Sequence, residues 1–74
     1  MSDLQDTVVA TLRDMGRATA PEMAERLGWS TQYGHNKVSR ACRVLLRFRI
    51  IRVADVRRTG YREARVYELT EGEA

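Results

Sequence analysis

Apolar residues recur at helical spacing over the first fifteen positions. Leu4, Val8, Leu12 and Met15 stand at i, i+4, i+8 and i+11, which puts them on one face of a helix over about 3–15. Asp3 or Ser2 can cap its start, and Gly16 closes it. After a short connector, Thr19-Ala20-Pro21-Glu22 has the form of a capping box, in which the hydroxyl serves the amide three residues on and the carboxylate reaches back. Pro21 falls in the first turn, where a missing N–H is tolerated. Met23, Ala24 and Leu27 give this second helix, over about 20–28, its buried stripe, and Gly28 stops it. A third helix is predicted over about 35–48, with Gly34 or Asn36 marking its start; a cap at Ser30 would add a turn before it. Val38, Ala41, Cys42, Leu45 and Phe48 form its apolar side.

From Ile50 the period changes. Ile51-Arg52-Val53-Ala54-Asp55 and Arg65-Val66-Tyr67-Glu68-Leu69-Thr70 alternate and are rich in β-branched and aromatic residues, so they read as strands over about 51–56 and 65–70. Between them Arg57–Glu63 reads as a basic loop with Gly60 near its tip. A hairpin alone is marginal in water and must lay one face on the helices. The fold class is therefore α+β, three helices followed by a hairpin, with the last residues, 71–74, frayed.

Composition narrows the chemistry. A chain of 74 residues makes one domain with a thin core and little room for an enclosed substrate cavity. One cysteine, Cys42, excludes a disulfide framework and a Cys-rich zinc site, and its place on the core face makes it a small hydrophobe. The single histidine, His35, does not converge with it. No Gly-rich phosphate loop, carboxylate pair or nucleophile elbow is present, so neither enzyme activity nor a metal or other cofactor is expected. The acidic start lacks a basic leader, and no apolar run exceeds three residues. A cytoplasmic, reducing setting is expected, with no membrane contact.

Charge changes the picture more. Residues 35–65 hold ten Lys/Arg, nine of them Arg, against Asp55 and Glu63, a net of +8, while both flanking segments are net negative. Such a block suggests a polyanion partner. On the third helix Asn36, Arg40, Arg43 and Arg47 are spaced i, i+4, i+7 and i+11 and line the side opposite Val38. No acid lies anywhere from Gly34 to Ala54. Aligned arginines repel one another and gain no partner within the helix, an arrangement that makes sense when phosphates neutralise it. Arg pairs with guanine edges and Asn with adenine edges in the DNA major groove, which admits a helix. Arg57, Arg58 and Arg62 around Gly60 and Tyr61 form a second basic site, able to reach phosphates or a minor groove. Tyr61 is expected to cover apolar surface, or else to stack on a sugar or base.

These residues resemble a family. Ala20-Pro21-Glu22-Met23-Ala24-Glu25-Arg26-Leu27-Gly28 is similar to the second helix of winged helix-turn-helix DNA-binding domains, in particular the DNA-binding core of MarR-like transcription regulators. The stretch from Val38 to Arg52 resembles their recognition helix and first wing strand. The resemblance covers nearly the whole chain. It implies the order helix, strand, helix, helix, strand, strand, with Arg17–Thr19 as the short strand and 51–70 as the wing. It also implies that Asn36, Lys37 and Arg40 meet the major groove, that Arg57, Arg58 and Arg62 form the wing tip, and that Thr31, Gln32 and His35 contact backbone. There are three departures. The turn before the third helix is about four residues longer than usual, Arg49 stands where the family has Gly, and the long flanking helices that pair MarR-like dimers and hold their effector are absent. A small phage- or plasmid-type regulator without a small-molecule effector fits this picture.

The leading expectation is a double-stranded DNA-binding protein and transcription regulator, nucleoid-associated, whose small footprint calls for a weak homodimer or tandem sites. An architectural or recombination accessory role is equally compatible. The alternative from another class is a winged-helix protein-interaction adaptor docking through the acidic first helix, since fold does not fix function. RNA binding has only Tyr61 and Trp29 to offer for stacking.

Overall fold

The computed structural model describes residues 3–29 and 31–70, apart from the side chain of Thr59. The predicted caps at Ser2 and Ser30 and the predicted frayed end lie outside the described residues. The elements follow in the order α1 (Asp3–Met15), β1 (Arg17–Thr19), α2 (Ala20–Arg26), α3 (Gln32–Arg47), β2 (Ile51–Thr59) and β3 (Arg62–Leu69). The result is an α+β arrangement of three helices and one antiparallel sheet with strand order β1-β3-β2.

The core lies where the three helices meet the sheet. Val8 and Leu12 of α1, Met23 and Ala24 of α2, and Val38, Ala41, Cys42 and Leu45 of α3 are buried there. Ala18, Ile51 and Tyr67 close the core from the sheet. Leu4, Met15 and Leu27 are half-buried at its margin. Burial pushes the Cys42 thiol up to about 12, so it is an inert core group and not a thiolate. On the outer face of the sheet, Arg17 and Arg52 stand on either side of Glu68 in direct register. Arg17 Nε donates to Glu68 Oε1 at 2.8 Å, and Arg52 holds the other oxygen. The two guanidiniums, Arg52 foremost, hold the Glu68 carboxyl below its usual range.

The structure corrects three expectations. First, α3 begins at Gln32 and not near residue 35, because Thr31 is its N-cap and accepts the Gly34 N–H at 3.2 Å. Second, residues 57–63 are not a loop. Both strands continue in register to Thr59↔Arg62 and turn through Gly60–Tyr61, where Gly60 takes the φ of +62° that tight hairpin turns demand. Third, Phe48 is 66% exposed. It is the C-cap of α3, and the chain swings at Arg49 into β2, so Ile50 and Ile51 turn to the core instead.

Candidate nucleic-acid interface

The buried stripe of α3 fixes what the opposite side presents. With Val38, Ala41, Cys42 and Leu45 inward, Asn36, Arg40, Arg43 and Arg47 are all exposed, as the spacing predicts. Asn36 Oδ1 accepts from Gln32 Nε2 at 3.1 Å, which orients the amide one turn into the helix. The first turn carries no acid, so no carboxylate of its own compensates the helix dipole there. The start of the helix is set by a close approach: a Cβ on Gly34 would lie 2.2 Å from the Trp29 carbonyl oxygen.

Other predicted site residues on α3 fall elsewhere. Lys37 lies about a quarter-turn from the arginine row. Its ammonium sits 4.8 Å from the centre of the Trp29 ring and 5.9 Å from that of Tyr33, so its charge is engaged with aromatic faces. His35 is half-buried and lies away from the row on the other flank. Thr31 spends its hydroxyl on capping, and Gln32 is exposed at the first turn.

The hairpin is more constrained than a loop would be. Arg57 does not sit at a tip: its Nη1 donates to Glu22 Oε2 at 2.9 Å, across the small Ala64 that faces it in the ladder. The same carboxylate closes the capping box, with Oε1 accepting from the Thr19 N–H at 2.8 Å. That backbone bond, with Arg57, holds the Glu22 carboxyl below its ordinary value. Arg58 pairs across the ladder with Glu63 at 2.9 Å. Two of the three predicted wing cations are therefore used inside the protein, and among the described residues Arg62 is the one left without a carboxylate.

A groove of about 510 Å³ joins the helix to the hairpin. Ala20, Pro21, Ala64 and Tyr67 contribute its less polar lining, and Ser39, Arg43, Arg62, Arg65 and the Arg58-paired Glu63 its polar side. Burial raises the Tyr67 phenol, against the pull of Arg65 and Arg43 beside it. Arg65 was not among the predicted site residues. Its signal was present, since it stands two positions from the inward Tyr67 and so shares the sheet face turned toward α3. Arg49 was also missed as a site residue.

Apart from Arg13 on α1, the arginines thus divide into two groups. Arg17, Arg26, Arg52, Arg57 and Arg58 each hold a carboxylate: Glu68, Asp14, Glu68, Glu22 and Glu63 respectively. Among the described residues Arg40, Arg43, Arg47, Arg49, Arg62 and Arg65 hold none. Comparison of the chain with protein-family models, curated proteins and solved structures finds no match. No described helix is long and apolar enough to cross a membrane.

Proposed function

We propose that the chain is a winged helix-turn-helix module that binds double-stranded DNA, with α3 in the major groove and the β2–β3 hairpin as a wing on the adjacent backbone. The partition of the arginines carries this reading. A solvated surface mixes signs and pairs them, as Arg17, Arg26, Arg52, Arg57 and Arg58 do here. The arginines without carboxylates among the described residues are instead on α3, its C-terminal exit and β3, and three of them, Arg43, Arg62 and Arg65, line the groove between helix and hairpin. Phosphates supply the missing anions. Asn36, Arg40 and Arg43 are the side chains proposed to reach base edges, and Arg47, Arg49, Arg62 and Arg65 those proposed to meet phosphates. Regulation of transcription and an architectural role both follow from such a module, and a weak homodimer or tandem sites would supply affinity.

Fluorescence anisotropy with random duplex DNA at two salt concentrations tests the proposal. If about six charges meet phosphates, log K falls with log salt at a slope of about −5. An Arg40→Glu/Arg43→Glu variant is expected to lose this binding while keeping its circular dichroism. Absence of binding by the folded wild-type protein at low salt would overturn the DNA reading.

A further inference from the structure

Tyr61 has no partner among the described residues. Its relative exposure is 107%, against 8% for Tyr67, so the ring covers no apolar surface. It occupies the second position of a two-residue turn, at the end of strands that continue past the last residues paired with β1. This projection is stiff. Thr59↔Arg62, Arg58↔Glu63 and Arg57↔Ala64 are in register, Arg58 is bonded to Glu63, and Arg57 ties the hairpin to α2 through Glu22. The neighbouring acid, Glu63, is neutralised by Arg58, whereas Arg62, next to Tyr61 in the chain, holds no carboxylate among the described residues.

An exposed aromatic residue followed in the chain by an arginine without a carboxylate, on a tip two residues wide, fits a narrow anionic cleft. We infer that Tyr61 is a wedge: it enters the DNA minor groove beside Arg62, stacks on a partly opened base step and bends the duplex. The inference rests on the DNA-binding reading above and adds a deformation to it. The minor groove is about 6 Å wide, enough for a turn tip though not for a sheet. Its negative potential favours Arg62. Side-chain wedges of this kind kink DNA by about 20–90° toward the major groove.

The test uses a short duplex with dyes at both ends and 2-aminopurine replacing adenine at a flexible TA step, with anisotropy as the separate measure of binding. At saturation the wild-type protein is expected to shorten the dye separation and raise 2-aminopurine fluorescence. Tyr61→Ala is expected to bind with about 5- to 150-fold lower affinity, the share of one stacked base, and still to saturate the duplex through the phosphate contacts. It should leave both signals at the free-duplex level, while Tyr61→Phe keeps both. If bound wild type and bound Tyr61→Ala give the same dye separation and the same fluorescence, the wedge is overturned while DNA binding stands. If wild type shows no anisotropy change, the DNA reading falls and the wedge with it.

Discussion

Helices α2 and α3 are built with the same ends and spend them differently. Each has a threonine N-cap in extended backbone, Thr19 at φ −84°, ψ 165° and Thr31 at φ −88°, ψ 165°. Each closes with the same pair of bonds: Gly28 N–H to Glu25 and Trp29 N–H to Ala24 in α2, Arg49 N–H to Leu46 and Ile50 N–H to Leu45 in α3. At two matched positions the residues differ, and at a third the same residue is partnered differently. Third after the cap, α2 has Glu22, which completes the box and braces the hairpin, and α3 has Gly34. One past the C-cap, α2 has Gly28 at φ +79° and α3 has Arg49 at φ +60°. In the last turn both have an arginine, but Arg26 is bonded to Asp14, whereas Arg47 holds no carboxylate among the described residues. At the first two positions α2 takes the residue that stabilises a helix. There α3 gives that up, once for a close approach to Trp29 and once for an outward cation, and at the third its cation is left unbalanced. Strain and unbalanced charge gathered on one element are a reason to look there for function.

Breaking the first matched position should have the largest effect. In a free helix Gly→Ala gains about 1 kcal/mol. At Gly34 the new methyl would meet backbone and Cβ of Trp29, neither of which can swing aside. Overpacking of this sort costs about 1–3 kcal/mol. Gly34→Ala is therefore expected to lower the melting temperature by about 10 °C, on a scale of roughly 4–8 °C per kcal/mol for a domain of this size. An unchanged or raised melting temperature would mean that helix propensity, and not the turn, governs the start of α3.

The second position can be tested in both directions. A side chain in the left-handed region costs about 1–2 kcal/mol, partly offset by the greater freedom glycine loses on folding. Arg49→Gly should raise the melting temperature by about 4–8 °C. Gly28→Arg should lower it by a similar amount, since nothing within 4 Å of that Cβ adds a clash. In the proposed function Arg49→Gly also weakens DNA binding, so stability and affinity move in opposite directions. If Arg49→Gly is neutral for stability, the residue is not strained. The Thr70 hydroxyl, which donates to the Arg49 carbonyl at 2.7 Å, would then be the group holding the exit.

Much of this architecture was legible in the sequence because it depends on near neighbours. The spacing of Leu4, Val8 and Leu12, the capping box at Thr19 and Glu22, and the inward place of Cys42 are local patterns, and each is found where it was expected. The start of α3 was not legible, since Gly34 is a poor helix former and the contact with Trp29 that requires it is tertiary. The outer hairpin was misread for the same reason that strands are usually readable. Alternation marks a strand with one buried face, and residues 57–63 have little core to face, so their polar run resembled a loop. Which arginines stay unpaired was illegible too, because Arg57 finds its carboxylate 35 residues away.

A smaller effect is expected from Glu22. Its folded pKa lies below the ordinary 4.5, so its contribution is fully present above that value and is lost as pH falls through the folded value. Glu22→Gln should lower stability at neutral pH by less than about 1 kcal/mol, given the partly exposed side chain, and the gap to wild type should close at pH below 4.5. A gap that does not narrow at all as pH falls from 7 to 3 would show that the carboxylate charge is not what stabilises the brace.

The smallest stability changes belong to the last matched position, and they separate the two helices most cleanly. Arg26 and Arg47 are each the basic residue in the last turn of a helix, so each interacts favourably with a helix dipole. Arg26→Ala removes that and an exposed ion pair with Asp14, and Arg47→Ala removes the dipole interaction alone. Both changes should therefore cost only about 0.3–1 kcal/mol. Binding should respond differently. Arg47 lies on the proposed interface, and its loss should flatten the salt slope by about one unit, the share of one phosphate contact. Arg26→Ala removes the same formal charge without a phosphate contact and should leave the slope where it was. Equal slopes for the two variants would mean that net charge, and not the α3 surface, holds the DNA.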